Sequence, residues 1–321
     1  MEYRVLGKTG IEVSSVGLGC WPMAGMAGGA NWSGIDDEES IATIQHAESL
    51  GINLLDTANG YGAGHSERII GRALRGRRDL YVVATKVAPR SDDPEEPLQR
   101  YIAKNCEGSL ERLRTDYIDI YQLHGEPDEA GMPAIVEALT RLVEAGKIRC
   151  FGISTYETEV MRALMALGDL SMAQIGYSIV NPVGQPGLKF AEVHNLGTLI
   201  RVPLAQGALT GKYYDSLSGL DPQDRRHERF DNPRIRSALK KLSELSFLVE
   251  GGKRTMVQAA LRFVLDTSGV TSVIPGAKNR AQLEENAGAD GVPPLTADER
   301  KQALAIGGKA NWPLPPYTSW T

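Results

Sequence analysis

A closed (β/α)8 TIM barrel is the fold this sequence predicts, on three observations. Eight short apolar runs recur along the 321 residues. Amphipathic stretches of helical period separate nearly all of them, and several of those stretches carry a glycine just beyond the last turn. Alternation of this kind over the whole length, with 42% hydrophobic residues to fill a core, fits one barrel domain spanning 1–321 better than a doubly wound sheet.

Taken in order, the chain opens with extended segments at 3–6 and 12–16 around Lys8-Thr9-Gly10, which read as a hairpin capping one end of a larger body. The apolar runs follow at 15–19, 53–56, 80–86, 118–123, 148–153, 172–175, 197–201 and 270–274, each with the look of a buried parallel strand. Helical periodicity covers 37–50, 66–75, 95–113, 132–145, 157–167 and 255–265. Two stretches break the alternation. Residues 206–232 are too long for an ordinary connection and read as a loop over a ligand site. The tail 307–321, with Trp312, three prolines and Trp320, reads as irregular chain packed on the barrel.

Several function classes are excluded by composition and motif. The formal charge of −5 is spread along the chain, so no basic face is available for the phosphates of a nucleic acid. Nowhere do eighteen apolar residues run together, and no leader pattern opens the chain, so no membrane partner is expected. Cys20, Cys106 and Cys150 form no Cys-x-x-Cys pair and read as reduced thiols, which with the missing leader suggests a cytoplasmic protein. No zinc-protease, P-loop or serine-hydrolase motif occurs, so the expectation is a barrel without a metal. No heptad marks an oligomer interface.

In such a barrel the active site is built at the carboxyl ends of the strands. Here Asp56, Lys86, His124, Ser154 and Arg201 end apolar runs, and Gln174 interrupts one. An ammonium at Lys86 projecting into the barrel mouth needs a carboxylate, and Asp56 on the neighbouring run supplies it. Tyr61 sits in a glycine-rich turn between Asp56 and Gly64. Beside Lys86 its phenol is expected to have a lowered pKa, suited to proton transfer near neutrality.

Asp56-Thr57-Ala58 with Tyr61-Gly62, Ser66-Glu67, Thr85-Lys86, Ile118-Asp119 with Tyr121 and Leu123-His124, and Gly146-Lys147-Ile148-Arg149 with Gly152-Ile153-Ser154 together resemble the aldo-keto reductases across nearly the whole chain. The pattern is most similar to bacterial members related to channel β-subunits. That resemblance implies a catalytic tetrad of Asp56, Tyr61, Lys86 and His124, with Tyr61 as proton donor. It implies NADP(H) as cofactor, with Ser154 and Gln174 at the nicotinamide carboxamide and Arg201 stacked where many relatives carry an aromatic residue. By the same resemblance Pro203, Leu204, Gln206, Gly207 and Lys212 wrap the pyrophosphate, and Gly276, Lys278, Arg280, Gln282 and Asn286 meet the adenosine and its 2′-phosphate. The implied substrate is a small carbonyl compound, or the corresponding alcohol or sugar hemiacetal. Thr155 and Gly125 depart from the family pattern, altering one amide contact and one pocket wall. Trp21 and Trp32 are further candidate pocket walls. Two other readings keep the barrel: Lys86 as a Schiff-base nucleophile of a lyase, and a cofactor-binding assembly subunit with little turnover.

Overall fold

The computed structural model describes residues 1–90, 93 and 95–313. A two-stranded antiparallel hairpin, β1 (Tyr3–Val5) and β2 (Glu12–Ser14), precedes eight parallel strands: β3 (Leu18–Gly19), β4 (Leu54–Asp56), β5 (Val82–Val87), β6 (Ile118–Leu123), β7 (Ile148–Ser154), β8 (Leu170–Gly176), β9 (Gly197–Arg201) and β10 (Ser272–Val273). Each strand pairs with the next in sequence. The ring closes between its ends, where Val16 bridges Val273, Gly19 bridges Gly276, and the Gly17 N–H donates to the Val273 carbonyl at 2.8 Å. The barrel and its hairpin cap are as the sequence predicts.

Helices α1 (Asp37–Ser49), α2 (His65–Ala73), α3 (Leu98–Leu113), α4 (Met132–Glu144), α5 (Thr158–Leu167) and α6 (Gln185–Val193) each follow one strand from β3 to β8. After β9 come α7 (Arg225–Asp231), α8 (Pro233–Leu242) and α9 (Met256–Leu265), and after β10 come α10 (Arg280–Ala287) and α11 (Ala297–Ala310). Two expectations need correcting. The stretch 206–232 is not loop throughout: α7 forms inside it, capped by Asp224, whose carboxylate accepts the Arg226 N–H. The tail does not turn irregular at Gly307. Helix α11, started by a Thr296/Glu299 capping box, runs through Gly307 and Gly308 and ends at Asn311 in the left-handed conformation. Gly307 serves close packing rather than termination, since a Cβ there would lie 2.1 Å from the Ile179 carbonyl oxygen. Trp320 and the prolines after Pro313 lie outside the described residues.

Two-residue periodicity along the strands sorts side chains between the barrel interior and the helical shell. Leu55, Val83, Val87, Tyr121, Leu123 and Ile175 face outward into the main core under the helices. Leu54, Ala84, Ile120 and Met172 face inward, closed from below by Leu6, Ile11 and Val13 of the hairpin. The hairpin approaches so closely that a side chain at Gly7, which has φ +52°, would strike the Gly197 backbone nitrogen at 2.2 Å. Two residues along from each of the four inward apolar positions stands a polar side chain: Asp56, Lys86, Gln122 and Gln174. All four are buried. The apolar layer is thus the floor, and the polar layer the base, of whatever happens at the mouth.

Candidate active site

Asp56 ends β4 and Lys86 lies near the end of β5, and the two meet inside the barrel. The Lys86 ammonium donates to Asp56 Oδ1 at 2.6 Å and to the Thr57 carbonyl at 2.7 Å, with its side chain wholly inaccessible. The pairing expected from sequence is therefore present. The turn after β4 carries Tyr61 back over this pair. Ala63, Gly62 and Gly64 at positive φ make the reversal, and Ser66 pins it by accepting from the Thr57 hydroxyl and donating to the Cys20 carbonyl, both at 2.9 Å. On the outer face of β5, Thr85 donates to buried Glu67 at 2.6 Å, and the other Glu67 oxygen accepts from Arg112. That bond tethers the Lys86 strand to α2. The Lys86 Nζ lies 5.1 Å from the centre of the Tyr61 ring, and the His124 ring stands edge-on to Tyr61 with centroids 5.7 Å apart.

The electrostatics correct one expectation. Burial raises the Tyr61 pKa above its usual value, as does Asp56, and Lys86 pulls it only part of the way back through its charge and a side-chain hydrogen bond. The phenol is held protonated rather than poised toward phenolate. Burial works against the Lys86 charge as well, but Asp56 and Tyr61 outweigh it and the net direction is upward. An amine held protonated is a poor nucleophile, which argues against the Schiff-base reading. His124 is pushed well below the usual imidazole range by burial and by Lys86 and Arg201, so near neutrality it is an uncharged ring with one N–H to donate.

A cavity of about 440 Å³ opens above this cluster, with Asp56, Tyr61 and His124 on its wall. Ser154 and Gln174, paired in register on β7 and β8, stand beside them. Trp21 and Trp32 form the expected apolar wall; the Trp21 ring stacks on Tyr61 at 5.9 Å, and the Arg225 guanidinium lies 4.4 Å from the centre of the Trp21 ring. Arg201 also reaches the cavity, its guanidinium 4.7 Å from the centre of the Tyr156 ring. Tyr156 lies behind Arg201 rather than on the cavity wall, and the sequence did not single it out. Gly176 makes room for it, since a Cβ there would lie 2.1 Å from the Tyr156 hydroxyl.

The cavity continues past Pro203, Leu204, Gln206, Gly207 and Lys212 to Gly276, Lys278, Gln282 and Asn286, so one continuous wall joins nearly every residue singled out from sequence. Their side chains are differently occupied. Gln206 accepts from Arg229 at 2.7 Å, Gln282 accepts the Lys278 N–H at 2.9 Å, and Asn286 donates to the Gly276 carbonyl at 3.3 Å. The Lys278 ammonium donates to Asp224 and to the Ser33 carbonyl, both at 2.8 Å. Asp224 also takes two bonds from the Arg226 guanidinium besides the one from its backbone N–H, and these partners outweigh burial to hold its carboxyl well below the usual range. Asp224 and Arg226, neither anticipated from sequence, thus clasp the segment after β9 to the loop after β10. Arg280 is not brought to the cavity: its side chain is about half exposed and pairs with Glu39 at 3.1 Å. Among the described residues no cluster of side chains suits a metal ion, and no helix is long and apolar enough to cross a membrane.

A tyrosine and a neutral histidine converge over a buried lysine–aspartate pair at the strand ends of a barrel, an arrangement of groups able to donate and accept protons. The Aldo/keto reductase family model matches residues 16–306. The chain belongs to the aldo-keto reductase family. It is an oxidoreductase of that family, acting between carbonyl and alcohol. This aldo-keto reductase is 36% identical to Aldo-keto reductase YhdN of Bacillus subtilis over 88% of this chain and 87% of the relative. Among solved structures it is similar to the glycerol dehydrogenase of Gluconobacter oxydans, at 31% identity and TM-score 0.82, over 98% of this chain and 97% of that one. A Klebsiella pneumoniae aldo-keto reductase, solved in complex with NADPH, matches at 27% identity and TM-score 0.76, over 96% of each chain.

Proposed function

We propose that this aldo-keto reductase reduces a small aldehyde or ketone with NADPH, Tyr61 giving the proton and Asp56, Lys86 and His124 completing the site. The observation that carries this reading is the convergence of a protonated Tyr61, a neutral His124 and the Lys86–Asp56 pair at the deep end of a cavity walled by Ser154 and Gln174. The donor set fits the cofactor. Ser154 and Gln174 offer a hydroxyl and an amide to a carboxamide, Arg201 offers a flat cation for a ring, and Lys212 and Lys278 lie on the same wall at the anionic end. When bound, NADPH supplies the hydride. His124 directs its N–H at the carbonyl oxygen and orients it. Tyr61 hands its proton to the oxygen as negative charge develops there, and the ammonium of Lys86, fixed by Asp56, stabilises the phenolate left behind. Run backwards, the same groups oxidise an alcohol or a hemiacetal.

The deciding measurement is NADPH oxidation over a panel of aldehydes, ketones and sugars at saturating cofactor. Tight NADPH binding without turnover on any of them would favour a cofactor-binding assembly role instead. A pH profile tests the electrostatics. With Tyr61 raised above its usual pKa and His124 lowered well below its own, neither group titrates between about pH 6.5 and about pH 10, so kcat for reduction is expected to be flat across that window. An acidic limb centred near 6.5 would show that His124 is not neutral.

We assign Lys278 and Arg280 to the 2′-phosphate, an arrangement in which the phosphate competes with Asp224 for Lys278 and with Glu39 for Arg280. That competition places the cost of the Lys278→Ala, Arg280→Ala double variant at about 2 kcal/mol in NADPH affinity, less than the roughly 3 kcal/mol to which two charge-assisted bonds would sum at the lower end, with NADH scarcely changed. Quenching of tryptophan fluorescence by each cofactor measures both. Equal losses for NADPH and NADH would show that the two cations serve the loop alone.

A further inference from the structure

One buried polar side chain in the barrel has no part in the mechanism above. Gln122 on β6 is wholly inaccessible, in the inward position directly above Ile120. Its amide nitrogen donates to Asp56 Oδ2 at 3.3 Å, and its carbonyl accepts from the Gln174 amide nitrogen at 3.0 Å. Gln174 donates in addition to the same Asp56 oxygen at 2.8 Å. With Lys86 on Oδ1, the Asp56 carboxylate is held by three donors, and Gln122, Gln174 and Asp56 close a triangle across the barrel.

Hydrogen-bond polarity sets which way Gln174 faces. Both protons of its amide nitrogen are used, one on Asp56 and one on Gln122. The reverse orientation would set its carbonyl oxygen against a carboxylate and against the carbonyl oxygen of Gln122, three acceptors with no proton among them. The Gln174 oxygen is thereby turned away from the triangle, and Gln174 is the member of the pair that reaches the cavity wall, beside Ser154. An acceptor fixed in that place suits a donor such as a primary amide N–H.

We infer that Gln122 is a positioning residue: it locks the Gln174 amide as an acceptor toward the nicotinamide carboxamide and shares the Asp56 carboxylate with Lys86. This rests on the reductase reading of the site and deepens it. Through the triangle, the group that holds the cofactor and the carboxylate that holds Lys86 become one hydrogen-bonded unit. An apolar side chain of similar volume on top of Ile120 and Met172 keeps the packing but strands one Gln174 amide proton, while Asp56 retains Lys86 and Gln174 as donors, so the cost to stability is that of a single unsatisfied buried donor.

The test uses the full-length enzyme, beginning with wild-type affinity for NADPH and wild-type turnover on the best carbonyl substrate of the panel. If the wild type shows neither, the reductase reading fails whatever Gln122 does. Given both, Gln122→Met is expected to keep the wild-type melting temperature within a few degrees, to weaken NADPH binding about tenfold and to lower kcat by a similar factor, the scale of one lost orienting hydrogen bond. Gln122→Glu retains the acceptor for Gln174 but brings a second carboxylate against Asp56. The pair must then share a proton, and an ionisation is expected to enter kcat above about pH 6.5, inside the window in which the wild-type profile is flat. Should Gln122→Met fail to fold, this glutamate profile decides alone. A methionine variant with wild-type affinity and kcat, or a glutamate variant with an unchanged pH profile, overturns the inference and leaves Gln122 as a satisfied core residue.

Discussion

Tyr61→Phe is expected to lower kcat for carbonyl reduction by at least about a hundredfold while leaving NADPH affinity within about twofold of wild type. The ring keeps its stack on Trp21 and its edge contact with His124, so the walls of the cavity are unchanged and only the hydroxyl is lost. General acid catalysis contributes roughly 10² to 10⁴ in rate, which sets the size of the effect. Because burial holds the phenol protonated, the loss should be the same across the flat part of the pH profile. Steady-state kinetics with a fluorescence titration of NADPH separates the two quantities. Turnover near wild type would remove Tyr61 from the mechanism.

Lys86→Met is expected to reduce kcat by a comparable factor and, unlike the tyrosine change, to destabilise the fold by about 3 kcal/mol, since it leaves a buried carboxylate without its cation. Gln122 and Gln174 still donate to Asp56, which keeps the cost toward the lower end of the range for broken buried pairs. The pH dependence has a definite sign. The Lys86 pKa is raised on folding, so its contribution to stability is fully present below the ordinary lysine value of 10.5 and is lost as the pH rises beyond it. Chemical denaturation of both proteins at neutral and at strongly alkaline pH should therefore show a gap that narrows in alkali. A gap that widened there would mean that Lys86 is not held as the ammonium.

The barrel was legible because strand and helix periodicities are local properties of the chain. So was the acid-base cluster: a lysine at the end of a run such as Val82–Val87 has to find a carboxylate, and Asp56 stood one run away. The direction of the Tyr61 shift was not legible, because it depends on how far the turn buries the ring, and burial outweighed the neighbouring ammonium. Helices α8 and α11 escaped notice since their apolar positions face one another rather than a strand, and glycines in α11 resembled a stop. Gln122 does carry a local signal, since a lone glutamine inside the six-residue run Ile118–Leu123 interrupts it just as Gln174 interrupts its own run. The engagement of Lys278 by Asp224 joins residues 54 positions apart, and nothing in local pattern discloses it.

The seam between β3 and β10 bears on how the chain is made. Val16 and Gly19 find their partners only at Val273 and Gly276, so the first barrel strand waits on the ribosome for almost the entire polypeptide before one of its two edges is covered. Until then Leu54, Ala84, Ile120 and Met172 line an open trough rather than a closed interior, and the trough's exposed backbone edge is a template for pairing with another nascent chain. Contacts of such long sequence separation form late and slowly. Chains cut short before residue 272 therefore retain most of the helical shell yet lack the strand that seals it, and they should be recovered as aggregates or chaperone complexes rather than as smaller barrels.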